Sequence, residues 1–69
     1  MKTFNVKVLF SENGKERVEI FSLDVRGKDL DEATIERRLR NNIKSLQSIW
    51  RHNVDPTIKL EMLSYEARY

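Results

Sequence analysis

Along residues 3–10, apolar and polar positions alternate without a break: Phe4, Val6, Val8 and Phe10 against Thr3, Asn5, Lys7 and Leu9. A period of two predicts a strand with one buried face. Residues 17–25 predict a second strand, rich in β-branched and aromatic side chains. Its apolar phase changes between Ile20 and Phe21. Either both faces of this strand carry apolar groups, or a β-bulge shifts its register there. Between the two runs, Asn13-Gly14 predicts a two-residue hairpin loop, because both residue types tolerate the positive φ of a type I′ turn. That turn sets Glu12 opposite Lys15, Phe10 opposite Arg17, Leu9 opposite Val18, Val6 opposite Phe21 and Phe4 opposite Leu23. One sheet face then carries Phe4, Val6, Val8, Phe10, Phe21, Leu23 and Val25, and the other carries Lys7, Leu9, Val18 and Ile20.

Arg26-Gly27-Lys28 breaks the second strand, and residues 29–53 read as one long helix. Asp31 is a candidate N-cap, with Leu30 and Ile35 as a hydrophobic staple; Asp29 with Glu32 is the competing arrangement. Ile35, Leu39, Ile43, Leu46 and Trp50 recur at helical spacing, and Ile49 widens the stripe, as a helix lying on a sheet requires. Asn53 is expected to stop the helix in the left-handed conformation, and Asp55-Pro56 prevents its continuation. Residues 57–65 predict a third strand with Ile58, Leu60 and Met62 inward. The second and third strands, joined through the helix, run parallel, and a right-handed crossover sets the third beside the first. The expected fold class is α+β: a β-β-α-β chain forming a three-stranded antiparallel/mixed sheet in order 2-1-3. One long helix packs on one face, the other face meets water, and residues 1–69 form a single compact domain.

Composition narrows the chemistry. The 69 residues contain no cysteine, so neither a disulfide nor a thiolate nucleophile is available, which fits a reducing compartment. No leader, long apolar run or lipidation signature is visible, and the expectation is a soluble, cytoplasmic protein without a membrane partner. His52 is the single histidine, which excludes a His pair or an HExxH zinc arrangement, and neither a metal nor a cofactor is expected. It sits near the predicted helix C-terminus, a routine place for an imidazole to complement the dipole. Gly14 and Gly27 belong to a turn and a connection rather than to a phosphate loop. Glu19 and Glu61 are the available acid/base carboxylates, but they lie on opposite edge strands with no cleft to shift their pKa values. The chain is therefore not expected to be an enzyme.

Two surfaces remain. On the uncovered sheet face the sequence gathers Leu9, Val18 and Ile20 near the hairpin, with Leu63 and Tyr65 toward the opposite corner. A contiguous apolar patch of a few hundred Å² suggests a docking site. Exposed strand residues are also commonly β-branched with nothing bound to them. The second strand has no proline, so its edge can accept another strand, although Arg17, Glu19 and Asp24 make it less adhesive. The leading expectation is a small non-enzymatic protein-binding module, of inhibitor or adaptor type, using this open face or edge. The partner is another protein or a second copy in a homodimer.

The helix supplies the alternative. Asp29, Asp31, Glu32 and Glu36 occupy its start, whereas Arg37, Arg38, Arg40, Lys44 and Arg51 follow with no acid among them. Arg37, Arg40, Lys44 and Arg51 fall on one ridge roughly 20 Å long at the rise of an α-helix. Four phosphate contacts would give a salt slope of roughly −3.6 on duplex DNA, and Asn41, Gln47 and Ser48 lie on or beside the ridge. The same segregation complements the helix dipole, and Glu36 is spaced to pair with Arg40. Of the aromatics only Tyr65 and Tyr69 are left to stack on a base. Nucleic-acid binding through the helix is thus the second expectation.

Overall fold

The computed structural model describes residues 2–68. Strands β1 (Lys2–Glu12) and β2 (Lys15–Val25), helix α1 (Glu32–Asn53) and strand β3 (Lys59–Ala67) follow in that order. They build a three-stranded sheet in the order β2-β1-β3, with β1 antiparallel to both neighbours. The architecture is α+β with β-β-α-β topology.

The hairpin forms as its turn residues dictate. Asn13 and Gly14 take φ values of 54° and 79°, and the β1–β2 register runs unbroken from Glu12↔Lys15 to Lys2↔Val25. No bulge interrupts β2. The change of phase at Ile20 is instead a strand with apolar groups on both faces: Val18 and Ile20 on one, Phe21, Leu23 and Val25 on the other.

Asp31 is the N-cap of α1, its carboxylate accepting the Thr34 N–H at 2.9 Å. Asp29 takes a left-handed φ of 51° in the connection before it, which removes it from competition for the cap. At the other end the expected left-handed Asn53 does not occur. Asn53 is the last helical residue, and Val54, at φ −121°, donates its N–H to the Trp50 carbonyl at 2.8 Å. The Asp55 N–H shares that acceptor at 3.0 Å, so two backbone donors close the helix without a positive φ.

Phe4, Val6, Val8, Val25, Ile35, Leu39, Ile43 and Met62 form the buried cluster, with Leu39, Val6 and Val8 fully enclosed. Phe10 and Ile58 are buried beside them. Trp50 stacks edge-on against Phe10 and Phe21 at centroid separations of 5.5 and 5.9 Å. The Arg17 guanidinium lies 4.0 Å over the Phe10 ring, covering that aromatic group from solvent.

The third strand departs from regular alternation. Val8 pairs with Met62 but Lys7 pairs with Ser64, so Leu63 is an extra residue, a bulge that inverts the phase of everything after it. Tyr65 consequently pairs with Val6 and faces the helix, packing edge-on against Phe4 at 6.0 Å. The expectation that Tyr65 lies on the open face is overturned by this single inserted residue.

Candidate functional site

The face of the sheet away from α1 divides into two halves. Near the chain termini it is a polar ladder: Thr3 Oγ1 donates to Asp24 Oδ1 at 2.6 Å, and Ser22 Oγ donates to Asn5 Oδ1 at 3.3 Å. Arg68 adds a donor to Ser22 Oγ at 3.3 Å. Toward the hairpin the same face turns apolar. Leu9 of the central strand pairs directly with Val18, and Ile20 pairs with Lys7. Leu9 is half-buried between its neighbours, whereas Val18 and Ile20 are 51% and 65% exposed. Leu63, at the bulge, is 49% exposed. A shallow depression of about 360 Å³ runs beside Ile20, lined by Asn5, Lys7, Ser64, Tyr65 and Glu66.

The structure therefore brings Leu9, Val18 and Ile20 together, places Leu63 across the face from them on β3, and removes Tyr65 to the helix side. Burial raises the Tyr65 hydroxyl above its ordinary pKa of 10.0, and the carboxylates of Glu36 and Glu32 raise it further. The sequence did hold a signal for this. The inward residues Met62 and Tyr65 are three apart where a regular strand requires two.

The outer edge of β2 is the feature that residue patterns alone do not display. A two-residue loop is flanked by a hydrogen-bonded pair, so Glu12↔Lys15, Phe10↔Arg17, Val8↔Glu19, Val6↔Phe21 and Phe4↔Leu23 exchange backbone bonds. The odd residues of β1 point the other way, as shown by the Thr3 carbonyl accepting the Arg68 N–H at 2.8 Å. Along β2 the N–H and C=O groups of Glu16, Val18, Ile20, Ser22 and Asp24 consequently point away from the sheet. Among the described residues these outward groups take no side-chain partner.

The edge of β3 is treated differently. Gln47 Oε1 accepts the outward Leu60 N–H at 2.7 Å, and Arg51 Nε donates to the Ile58 carbonyl at 2.6 Å. With the bulge at Leu63, this strand's edge is capped at its start and bent in its middle.

These contacts also sort the expected basic ridge. Arg37, Arg40, Lys44 and Arg51 are all exposed on one flank of α1. Arg51 is occupied in holding the Ile58 carbonyl, and Arg40 Nη2 bonds Glu36 Oε1 at 2.9 Å. Lys44 and Arg40 border a shallow recess with Ile43, Leu60, Glu61 and Met62. Arg38, on the other flank, donates to the Arg26 carbonyl and ties the helix to the end of β2. Tyr69 lies outside the described residues, and Tyr65 is packed against Phe4.

Among the described residues the two strand carboxylates are not brought together. Glu19, paired with Arg17 at 2.5 Å, lies on the helix side, and Glu61 lies opposite Leu9 on the open side. The cavity between β2 and α1, lined by Phe4, Val25, Gly27, Leu30 and Ile35, measures about 160 Å³, smaller than the open depressions of about 360 Å³ beside Ile20 and at the hairpin loop. Among the described residues no three His, Asp or Glu side chains are placed to hold a metal ion, and no helix is long and apolar enough to cross a membrane. The chain matches no protein-family model, no curated protein and no solved structure.

Proposed function

We propose that this chain is a non-enzymatic protein-binding module, of inhibitor or adaptor type, that docks through the hairpin half of its open sheet face and the adjoining β2 edge. The observation that carries the reading is the exposure of Val18 and Ile20 beside Leu9, on a face bounded by polar ladders and continuous with an uncapped row of backbone donors and acceptors. Apolar side chains supply non-directional attraction, and an edge supplies directional hydrogen bonds. The unpaired cations of α1 add steering toward an acidic partner.

The test is capture from source-cell lysate after nuclease treatment, comparing the native chain with Leu9→Asp and Ile20→Lys. The expected result is a stoichiometric protein held by the native chain and released at least tenfold more readily by both variants, with circular dichroism unchanged. Equal capture by all three proteins removes the open face from consideration. Capture abolished by nuclease, by raised salt and by Arg40→Glu with Lys44→Glu transfers the function to the helix and a nucleic-acid partner.

A further inference from the structure

We infer that the β2 edge is a self-recognition surface, pairing antiparallel with β2 of a second copy about a two-fold axis at Phe21. This rests on the protein-binding reading above and names the partner of its edge. The pairing joins two three-stranded sheets into one continuous sheet, with both helices on the same side.

Register decides the case. Edge pairing requires outward residues to meet outward residues, so Glu16, Val18, Ile20, Ser22 and Asp24 must face members of the same set or the equivalent position at Arg26. Registers that overlap most of the strand centre on Glu19, Ile20 or Phe21. An axis at Glu19 opposes the carboxylate to its own copy. An axis at Ile20 sets Glu16 against the second copy's Asp24. Like charges directly opposite one another are destabilising, whereas aromatic and opposite-charge pairs are favourable. Centring on Phe21 opposes no like charges. It faces Phe21 with its own copy, Ile20 with Ser22, Val18 with Asp24, and Glu16 with Arg26. Beyond the end of β2, Arg38 holds the Arg26 carbonyl, but the Arg26 side chain is exposed and meets Glu16 through its guanidinium alone.

Burial supports the same seam. Phe21 and Leu23 are only half-buried on the helix side of β2. Ile49, on the flank of α1 that carries Arg38, is 52% exposed. With Val18 and Ile20 on the other face, the edge strand is apolar on both sides. The whole chain exposes 5208 Å², against about 4,500 Å² for a folded monomer of its mass. Its radius of gyration is 12.7 Å, against about 11 Å for a compact chain of this length. The excess follows from the elongated shape, 39 × 20 × 18 Å, along which the β2 edge lies open.

Sedimentation equilibrium of the full chain up to about 500 μM tests the proposal. The expected result is a species of twice the 8.2 kDa chain mass. Ser22→Pro deletes one outward N–H, leaves the backbone bonds to β1 and loses only the exposed Ser22 hydroxyl contacts. It is expected to weaken association at least tenfold while the circular dichroism spectrum is kept, with Ser22→Ala as the control for the lost hydroxyl. Glu16→Arg alone weakens it similarly, and Glu16→Arg with Arg26→Glu restores it. Because the chain contains no cysteine, Phe21→Cys offers a second reading of the register. A residue on the axis cross-links to its own copy on oxidation, since facing non-hydrogen-bonded positions lie within disulfide reach. A monomer at every concentration overturns the inference, as does a dimer indifferent to Ser22→Pro. A dimer that the charge swap fails to restore, and that Phe21→Cys fails to cross-link, overturns the Phe21 axis. If the native chain is monomeric yet holds another protein through Leu9, the self-pairing fails and the open-face reading stands. If the dimer forms and Leu9→Asp changes no capture, the reverse holds.

Discussion

A carboxylate that accepts hydrogen bonds from a turn is stabilised in its charged form, and two aspartates here are held that way. Bonding with Thr34 lowers Asp31 below its ordinary 3.8, and bonding with Thr57 does the same for Asp55. For Asp55 the Thr57 N–H and hydroxyl both donate, at 2.8 and 2.7 Å. Depressed folded pKa values contribute stability that is whole above about 3.8 and lost as pH falls through the folded values. Tyr65 acts at the other limit. Its raised pKa contributes below the ordinary 10.0 and is lost as pH rises past the folded value. The melting temperature is thus expected to fall at both extremes, measured by circular dichroism from about pH 2 to about pH 11. Asp31→Asn, which still caps, is expected to keep the neutral-pH value and flatten the acid limb. At this scale the sequence was partly legible. Asp31 was visible as a cap because Leu30 and Ile35 flank it as a staple. What excluded Asp29 was its left-handed backbone, which depends on how the chain leaves β2.

The hairpin is the element whose form follows most directly from its residues. Asn13-Gly14 fixes the turn, the turn fixes the register, and the register fixes which side chains meet. β3 escaped the same reasoning because its register is set from outside, by Gln47 and Arg51 reaching from α1. Its bulge absorbs the mismatch between that anchorage and the position of Tyr65. Deleting Leu63 alone is expected to regularise the strand and leave Tyr65 against Phe4, shifting stability by no more than about 1 kcal/mol. Deleting Leu63 and Ser64 together moves Tyr65 to the open face and Glu66 toward the helix. That change is expected to lower stability by more than about 2 kcal/mol. Urea unfolding of the two deletions measures the difference. Their equivalence would mean that the phase of β3 does not depend on the bulge.

Across the whole molecule, the strand order β2-β1-β3 was readable because two parallel strands joined by a helix leave room for β1 between them. The unequal treatment of the two edges was not readable. It depends on which backbone groups point outward and on which helix side chains reach them, neither of which periodicity records. The basic ridge shows the same limit. Its residues share a flank as expected, but Arg40 and Arg51 are engaged in contacts within the fold.

The amide of Gln47 has a consequence for how far association can run. A sheet that offers two open edges adds strands at both, and nothing stops it from lengthening into a fibre. Here the Leu60 N–H is already taken and the Leu63 bulge bends the remaining edge, so growth through β2 terminates once two chains have met. Gln47→Val frees the Leu60 N–H and so weakens that closure. The expected outcome is a rise in turbidity and thioflavin fluorescence on prolonged incubation of the variant, with the native chain staying clear. On this view two helix side chains and one inserted residue keep a self-pairing protein finite.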